Sequence, residues 1–251
     1  MKRIFTVLLI FCMVAAVFTG TVLAQEPTSG TCGENITWTV SDGTLTISGT
    51  GVMDNYNTGA PAPWAYYKYD IFAIVIEPGI TVLGEYAFWE CLAAQSLSLP
   101  ETLTHIGTGA FHSCRNLSSV TLPESLVSIG EEAFQYCDSL RSVYIPDSVT
   151  DIGRDAFYSC YTLERVAIPE GITQINMGTF AWCSGLYEVM LPSTLTTICE
   201  DAFKRFLNEC KTTALHPFYM FALLRVMDAG VGGTRKPQHR IAAGWGSRRQ
   251  I

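Results

Sequence analysis

Basic residues are scarce in the body of this chain. Between residues 25 and 203 only Lys68, Arg115, Arg141, Arg154 and Arg165 are basic, against 21 acidic residues, a net of −16. Nucleic acid and anionic membrane surfaces both need clustered Lys or Arg to neutralise phosphate, so this acidic body excludes them as partners. Long apolar runs are also missing beyond residue 24. The stretch from Ala214 to Met227 is too short to span a bilayer and is interrupted by Pro217, so no membrane span is expected once the N-terminal segment is removed. Catalytic signatures are absent too, with no Gly-x-Ser-x-Gly and no His-Glu-x-x-His. His105 and His112 fall at variable positions where a solvated side chain is expected, and His216 and His239 lie near the end of the chain. Carboxylates such as Glu131, Glu132, Asp151 and Asp155 occupy turn positions that a wet surface explains. Neither an enzyme nor a cofactor is implied.

What is present is apolar: 48% of the residues are hydrophobic and 16% charged, enough to bury a core in one domain or one repeat array. Residues 1–24 carry Lys2 and Arg3, then the apolar run Ile4 to Val17, then small residues ending Val22-Leu23-Ala24. This is the three-part pattern of a secretory signal peptide, with a mature chain starting at Gln25 and a secreted or cell-surface location. Phe11 precedes Cys12 where a lipoprotein cleavage site wants a small residue, so lipid anchoring is not expected.

Beyond the leader, Phe88, Phe111, Phe134, Phe157, Phe180 and Phe203 each follow the last by 23 residues. Cys91, Cys114, Cys137, Cys160 and Cys183 keep the same phase, as do Val120, Val143, Val166 and Val189, with a proline closing each segment at 100, 123, 146, 169 and 192. The unit reads A-F-x-x-C-x-x-L-x-x-V-x-I/L-P-x-x-L/V-x-x-I-G-x-x. Alternating aliphatic residues in L-x-x-V-x-I/L predict a short strand with one face inward. Proline ends it, because it lacks an amide hydrogen for the ladder. Ile-Gly marks a turn, and the following stretch suits an irregular or short helical return. One coil of a solenoid results, and a coil with so few contacts of its own is stable only when stacked on its neighbours. The fold class expected is therefore an α/β leucine-rich-repeat solenoid of short parallel strands, with about five to six coils over residues 73–203.

Residues 25–72 suit the role of an N-terminal cap. Ile36, Trp38 and Val40, then Asp42-Gly43, then Leu45 and Ile47 spell a β-hairpin, followed by a connector rich in Pro and Tyr around Pro63-Trp64. The repeat unit, together with Trp38-Thr39-Val40, the run Gly43 to Gly51 and Ala62-Pro63-Trp64, resembles the BspA-like leucine-rich repeats of bacterial surface proteins, over about Thr31 to Phe203. That resemblance implies adhesion to host matrix proteins or other cells, or service as a module of a larger secreted protein whose enzymatic or wall-anchoring domain lies elsewhere.

The cysteine ladder fails as a metal site, since one thiol every 23 residues offers no Cys-x-x-Cys pair and no tetrahedron. Two readings stay open: a column of buried thiols acting as small hydrophobes, and disulfides between coils, whose spacing of about 4.8 Å lies within the reach of the bond. Ligand binding is expected on the outward strand residues that flank the inward Val. These are Ser96 and Ser98, Ser119 and Thr121, Ser142 and Tyr144, Arg165 and Ala167, and Glu188 and Met190. Tyr and Arg are frequent binding anchors, which favours the later coils as the site for a protein ligand. After Phe203 the lattice breaks, with Phe206, Glu209 and Thr212 where Cys, Leu and Val are due. Residues 204–251 turn basic, nine against two for +7. This segment reads either as a frameshifted or mis-joined stretch or as a genuine basic tail. The first alternative leaves the last coil uncapped and prone to associate through its strand edges.

Overall fold

A computed structural model describes residues 26–205 and 239–242, the latter as backbone alone. The leader at 1–24, the apolar stretch 214–227, Cys210 and His216 lie outside the described residues, as does most of the basic segment 204–251. The chain winds as a solenoid whose coils present three sides. The first side carries β3 (Thr44–Gly49), β5 (Ala73–Ile76), β7 (Ser96–Ser98), β9 (Ser119–Thr121), β11 (Ser142–Tyr144), β13 (Arg165–Ala167) and β15 (Glu188–Leu191). Here the β-branched residue of each coil turns inward, as the alternation requires: Val120, Val143, Val166 and Val189 are buried. The second side is a ladder of shorter strands: β4 (Gly51–Val52), β6 (Ile80–Leu83), β8 (His105–Ile106), β10 (Ser128–Ile129), β12 (Asp151–Ile152), β14 (Gln174–Ile175) and β16 (Thr197–Ile198). Pairing is parallel and in step, for example Ile106 with Ile129 and Ile129 with Ile152.

The third side carries the returns, and the helical alternative for them is not what forms. Among the described residues the one helical element is the 3₁₀ turn Ala65–Tyr67. Each return is a series of tight turns that reach the next coil through alternate amides: Phe111 N–H donates to the Ala133 carbonyl at 2.8 Å, and Phe134 N–H to that of Ala156 at 2.8 Å. Two positions per coil take the left-handed conformation that makes this alternation possible. One is occupied by Gly109, Glu132, Asp155 and Gly178, the other by Ser113, Tyr136, Ser159 and Trp182.

The core fills with columns. Phe88, Phe111, Phe134, Phe157, Phe180 and Phe203 stack with centroids 5.1 to 5.5 Å apart and planes within 14°. Trp64 begins the column, stacked on Phe88 at 5.7 Å, and Trp38 meets Trp64 edge-on. Trp38 comes from the hairpin of β2 (Ile36–Ser41) and β3, which turns at Asp42 and Gly43, both in the left-handed region. β1 (Ser29–Gly33) extends that sheet antiparallel to β2. At the other end β17 (His239–Ala242) pairs antiparallel with β15, placing Ala242 opposite Glu188. The strand edge expected to be open is thus occupied on the first side. On the second side β16 has no outer partner among the described residues.

Of the two readings of the cysteines, the structure takes the thiol column: Cys91, Cys114, Cys137, Cys160 and Cys183 are buried and unbridged, as is Cys32. Each thiol from the second onward donates to the phenylalanine carbonyl of the preceding coil. Cys114 Sγ reaches Phe88 O at 3.2 Å, Cys137 reaches Phe111 O at 3.4 Å, Cys160 reaches Phe134 O at 3.3 Å, and Cys183 reaches Phe157 O at 3.1 Å. A small, soft donor suits this fully buried place, where a purely apolar residue leaves the carbonyl a lone pair short. In the native protein these five column thiols are expected to resist iodoacetamide at neutral pH, while half-exposed Cys199 is alkylated. Peptide mass spectrometry reads the pattern, and labelling of Cys137 or Cys160 as fast as Cys199 contradicts a closed column.

Candidate functional site

The outward residues of the first side form two rows along the stack. Strand register sets Ser119, Ser142, Arg165 and Glu188 side by side, and pairs Tyr144 with Thr121 and Ala167 with Met190. Ser96, Ser98, Ser119, Thr121, Ser142, Tyr144, Arg165 and Met190 all face solvent, with Tyr144 55% and Met190 39% exposed. Glu188 corrects the expectation: it is 5% exposed. β17 runs beside it, with Ala242 opposite, so the last strand is interior to its sheet where the repeat pattern suggested an open edge.

Ala167 shapes the surface. Its single methyl leaves a dip bordered by the larger Tyr144 and Met190, and an open groove of about 900 Å³ lies there. The groove is lined by the strand residues already named and by two that precede their strands, Arg141 and Glu164. Attention to the strands alone misses this pair, although both sit on the same 23-residue lattice. Arg165 is exposed and holds its guanidinium over the ring of Tyr187, 5.7 Å from the centroid, which limits its motion.

The other titratable groups do not converge. His105, on β8, is exposed and bonds Thr104 at 2.8 Å. His112 lies on the return side, half-buried where a solvated ring was expected, with Ser113 Oγ 3.0 Å from Nδ1 and the ring edge-on to Tyr136. Burial lowers its pKa below the ordinary 6.5, opposed by the Glu132 carboxylate. The carboxylates Glu131 and Asp155 meet Arg154 at 3.9 and 3.0 Å, a surface network on the returns. Among the described residues no three His, Cys, Asp or Glu side chains group as metal ligands, and no helix is long and apolar enough to cross a membrane.

Coils of 23 residues, a strand on one side with its Val inward and a small, adaptable outer face define a leucine-rich-repeat solenoid. The chain belongs to the BspA-type leucine-rich-repeat family, whose model matches residues 63–175 and 106–214 with six copies. Among solved structures it is similar to the leucine-rich repeat protein TpLRR of T. pallidum, at 28% identity and a TM-score of 0.53, covering 67% of this chain and 85% of that one. It is also similar to a leucine-rich repeat protein from Bacteroides ovatus ATCC 8483, at 27% identity and a TM-score of 0.55, covering 68% of this chain and half of that one. No curated protein matches.

Proposed function

We propose that this protein is a secreted or cell-surface binding module that holds a protein ligand, such as a host matrix protein or another cell's surface protein, on the outer face of β11, β13 and β15. The groove over Ala167 carries the reading, because it gathers the exposed Tyr144, Arg165 and Met190 on a rigid in-step sheet. Aromatic and guanidinium side chains held in place lose little freedom on binding, which is why they dominate interface energetics. Export rests on the residue 1–24 pattern, and no catalytic role enters: His105 and His112 sit on different sides of the coil. In this reading residues 25–72 cover the first coil through Trp38 and Trp64, residues 73–203 display the ligand surface, and 204–251 stand outside the repeat design. Association of copies through the last coil then has two strand edges to use, β16 on the second side and β17, the outermost strand of the first.

The mature chain is expected to bind at least one member of a panel of purified matrix proteins in surface plasmon resonance. Replacing both Tyr144 and Arg165 by Ala should weaken that binding by roughly thirtyfold or more, the scale of two anchors lost. Equal binding by the double variant, or no binding by the unaltered protein, removes the strand face as the site. A second reading is a repeat module within a larger secreted protein, favoured by the chain's spanning half the length of the Bacteroides ovatus structure.

A further inference from the structure

We propose that the groove over Ala167 is specific for a short acidic segment of an extended protein partner, one whose carboxylate is gripped by Arg141 and Arg165 and whose apolar neighbour lies on Tyr144 and Met190. The inference rests on the reading of the strand face as a binding surface and names the chemistry it takes.

The five cations of residues 25–203 divide in a telling way. Lys68 is held by Glu90 at 2.7 Å, Arg115 by Asp138 at 3.4 Å and Arg154 by Asp155 at 3.0 Å. Of these five, Arg141 and Arg165 alone make no ion pair with a described residue, and both line the same groove. Carboxylates outnumber cations about fourfold in this region, 21 to 5, and Glu164 and the buried Glu188 border the groove itself, yet neither forms an ion pair with Arg141 or Arg165. Two neighbouring guanidiniums left unneutralised on so acidic a body are complementary to a carboxylate arriving from outside. A guanidinium presents parallel N–H donors that match a carboxylate's two oxygens, and Arg165 is steadied for that by Tyr187.

Charge also sets the size and kind of the ligand. A body of net −16 repels a long polyanion across a screening distance of about 8 Å at physiological salt, whereas two arginines in a local hollow accommodate one or two carboxylates. Exposed Tyr144 and Met190 beside them offer apolar contact to an aliphatic side chain next to the carboxylate. An acidic peptide with an aliphatic neighbour meets both conditions.

The test uses the full chain and a fluorescein-labelled peptide, Gly-Leu-Glu-Val-Asp-Leu-Gly-Ser, with its amide twin in which Gln and Asn replace the acids. Fluorescence anisotropy is expected to show the acidic peptide binding at least about tenfold tighter than the twin, as charge-assisted pairs should. Arg141→Gln with Arg165→Gln should erase the preference. Arg115→Gln with Arg154→Gln, which removes the same two charges elsewhere, should keep it. Equal affinity for the two peptides, no binding of the acidic one, or a preference that survives in the Arg141/Arg165 variant overturns the proposal. So does a heparin-derived tetrasaccharide that displaces the peptide at lower concentration than unlabelled peptide, since this assigns the groove to a sulfated glycan. A matrix protein that still needs Tyr144 while the acid preference is absent sinks this inference and leaves the strand-face reading standing. Loss of both sinks both.

Discussion

Phe134→Ala is expected to cost about 5 kcal/mol, the upper end for a buried phenylalanine. Phe134 is fully buried at the centre of the column, with Phe111 at 5.2 Å on one side and Phe157 at 5.4 Å on the other, so the truncation opens a cavity and removes two ring stacks together. Typical domains hold only about 5 to 15 kcal/mol in total. In a solenoid the coils are joined only to their neighbours, so the damage has a direction as well as a size: the coils before and after Phe134 lose their coupling. Urea unfolding should therefore shift to a lower midpoint and broaden or split into two transitions. Phe134→Leu refills most of the space and should cost about 1.5 kcal/mol. Phe203→Ala, at the end of the column, should leave a single transition. A single sharp transition at the unaltered midpoint for Phe134→Ala contradicts the column as the main coupling between coils.

The second large effect is alkaline unfolding. Burial raises the thiol pKa of Cys32 and Cys91 from 9.0 to about 12, with the Asp54 carboxylate adding to the first, and it raises Cys114, Cys137 and Cys160 as well. In the unfolded chain these thiols ionise near 9.0, so above that pH the unfolded state binds fewer protons than the folded one. Stability is therefore complete below pH 9.0 and falls as pH rises toward the folded values. Each thiol contributes a slope of about 1.4 kcal/mol per pH unit, so five acting together reach roughly 7 kcal/mol per unit. Near-UV circular dichroism should show cooperative unfolding between about pH 10 and 11, where that slope has consumed an ordinary stability. Cys137→Ala with Cys160→Ala should make the decline shallower by about two fifths. A native signal that persists to about pH 12, or an unchanged slope in the variant, rules out the thiols as the cause.

Most of the fold was legible because the repeat writes side-chain identity at every position that faces the core. Phe88 to Phe203 spelled the aromatic column, and Val120 to Val189 the inward line of the strands. What stayed hidden is carried by backbone. The left-handed positions on the returns hold Gly109, Glu132, Asp155 and Gly178, a set with no shared side-chain chemistry, because their task is to aim amides at the next coil. Trp64 escaped notice as the first ring of the column since it precedes Phe88 by 24 residues, one off the lattice. At the candidate site the exposed Ser, Thr, Tyr and Arg rows followed from alternation. Glu188 did not: it is buried, and the strand paired beside it, β17, lies some 50 residues later in the chain and outside the repeat. Arg141 and Glu164 were missed for a simpler reason: they line the groove from just before the strands.

The in-step pairing of Ile106 with Ile129 and Ile129 with Ile152 makes the coils interchangeable at their contact surfaces. Cutting out residues 131–153 joins Gly130 to Arg154 and recreates an interface of a kind the molecule already has. Reach is therefore quantised: the distance from the N-terminal hairpin to the groove can change only in whole rungs of about 4.8 Å, each encoded by one block of gene. An array built this way is an adjustable spacer, able to carry the groove nearer to or farther from the hairpin at its other end without redesigning the groove.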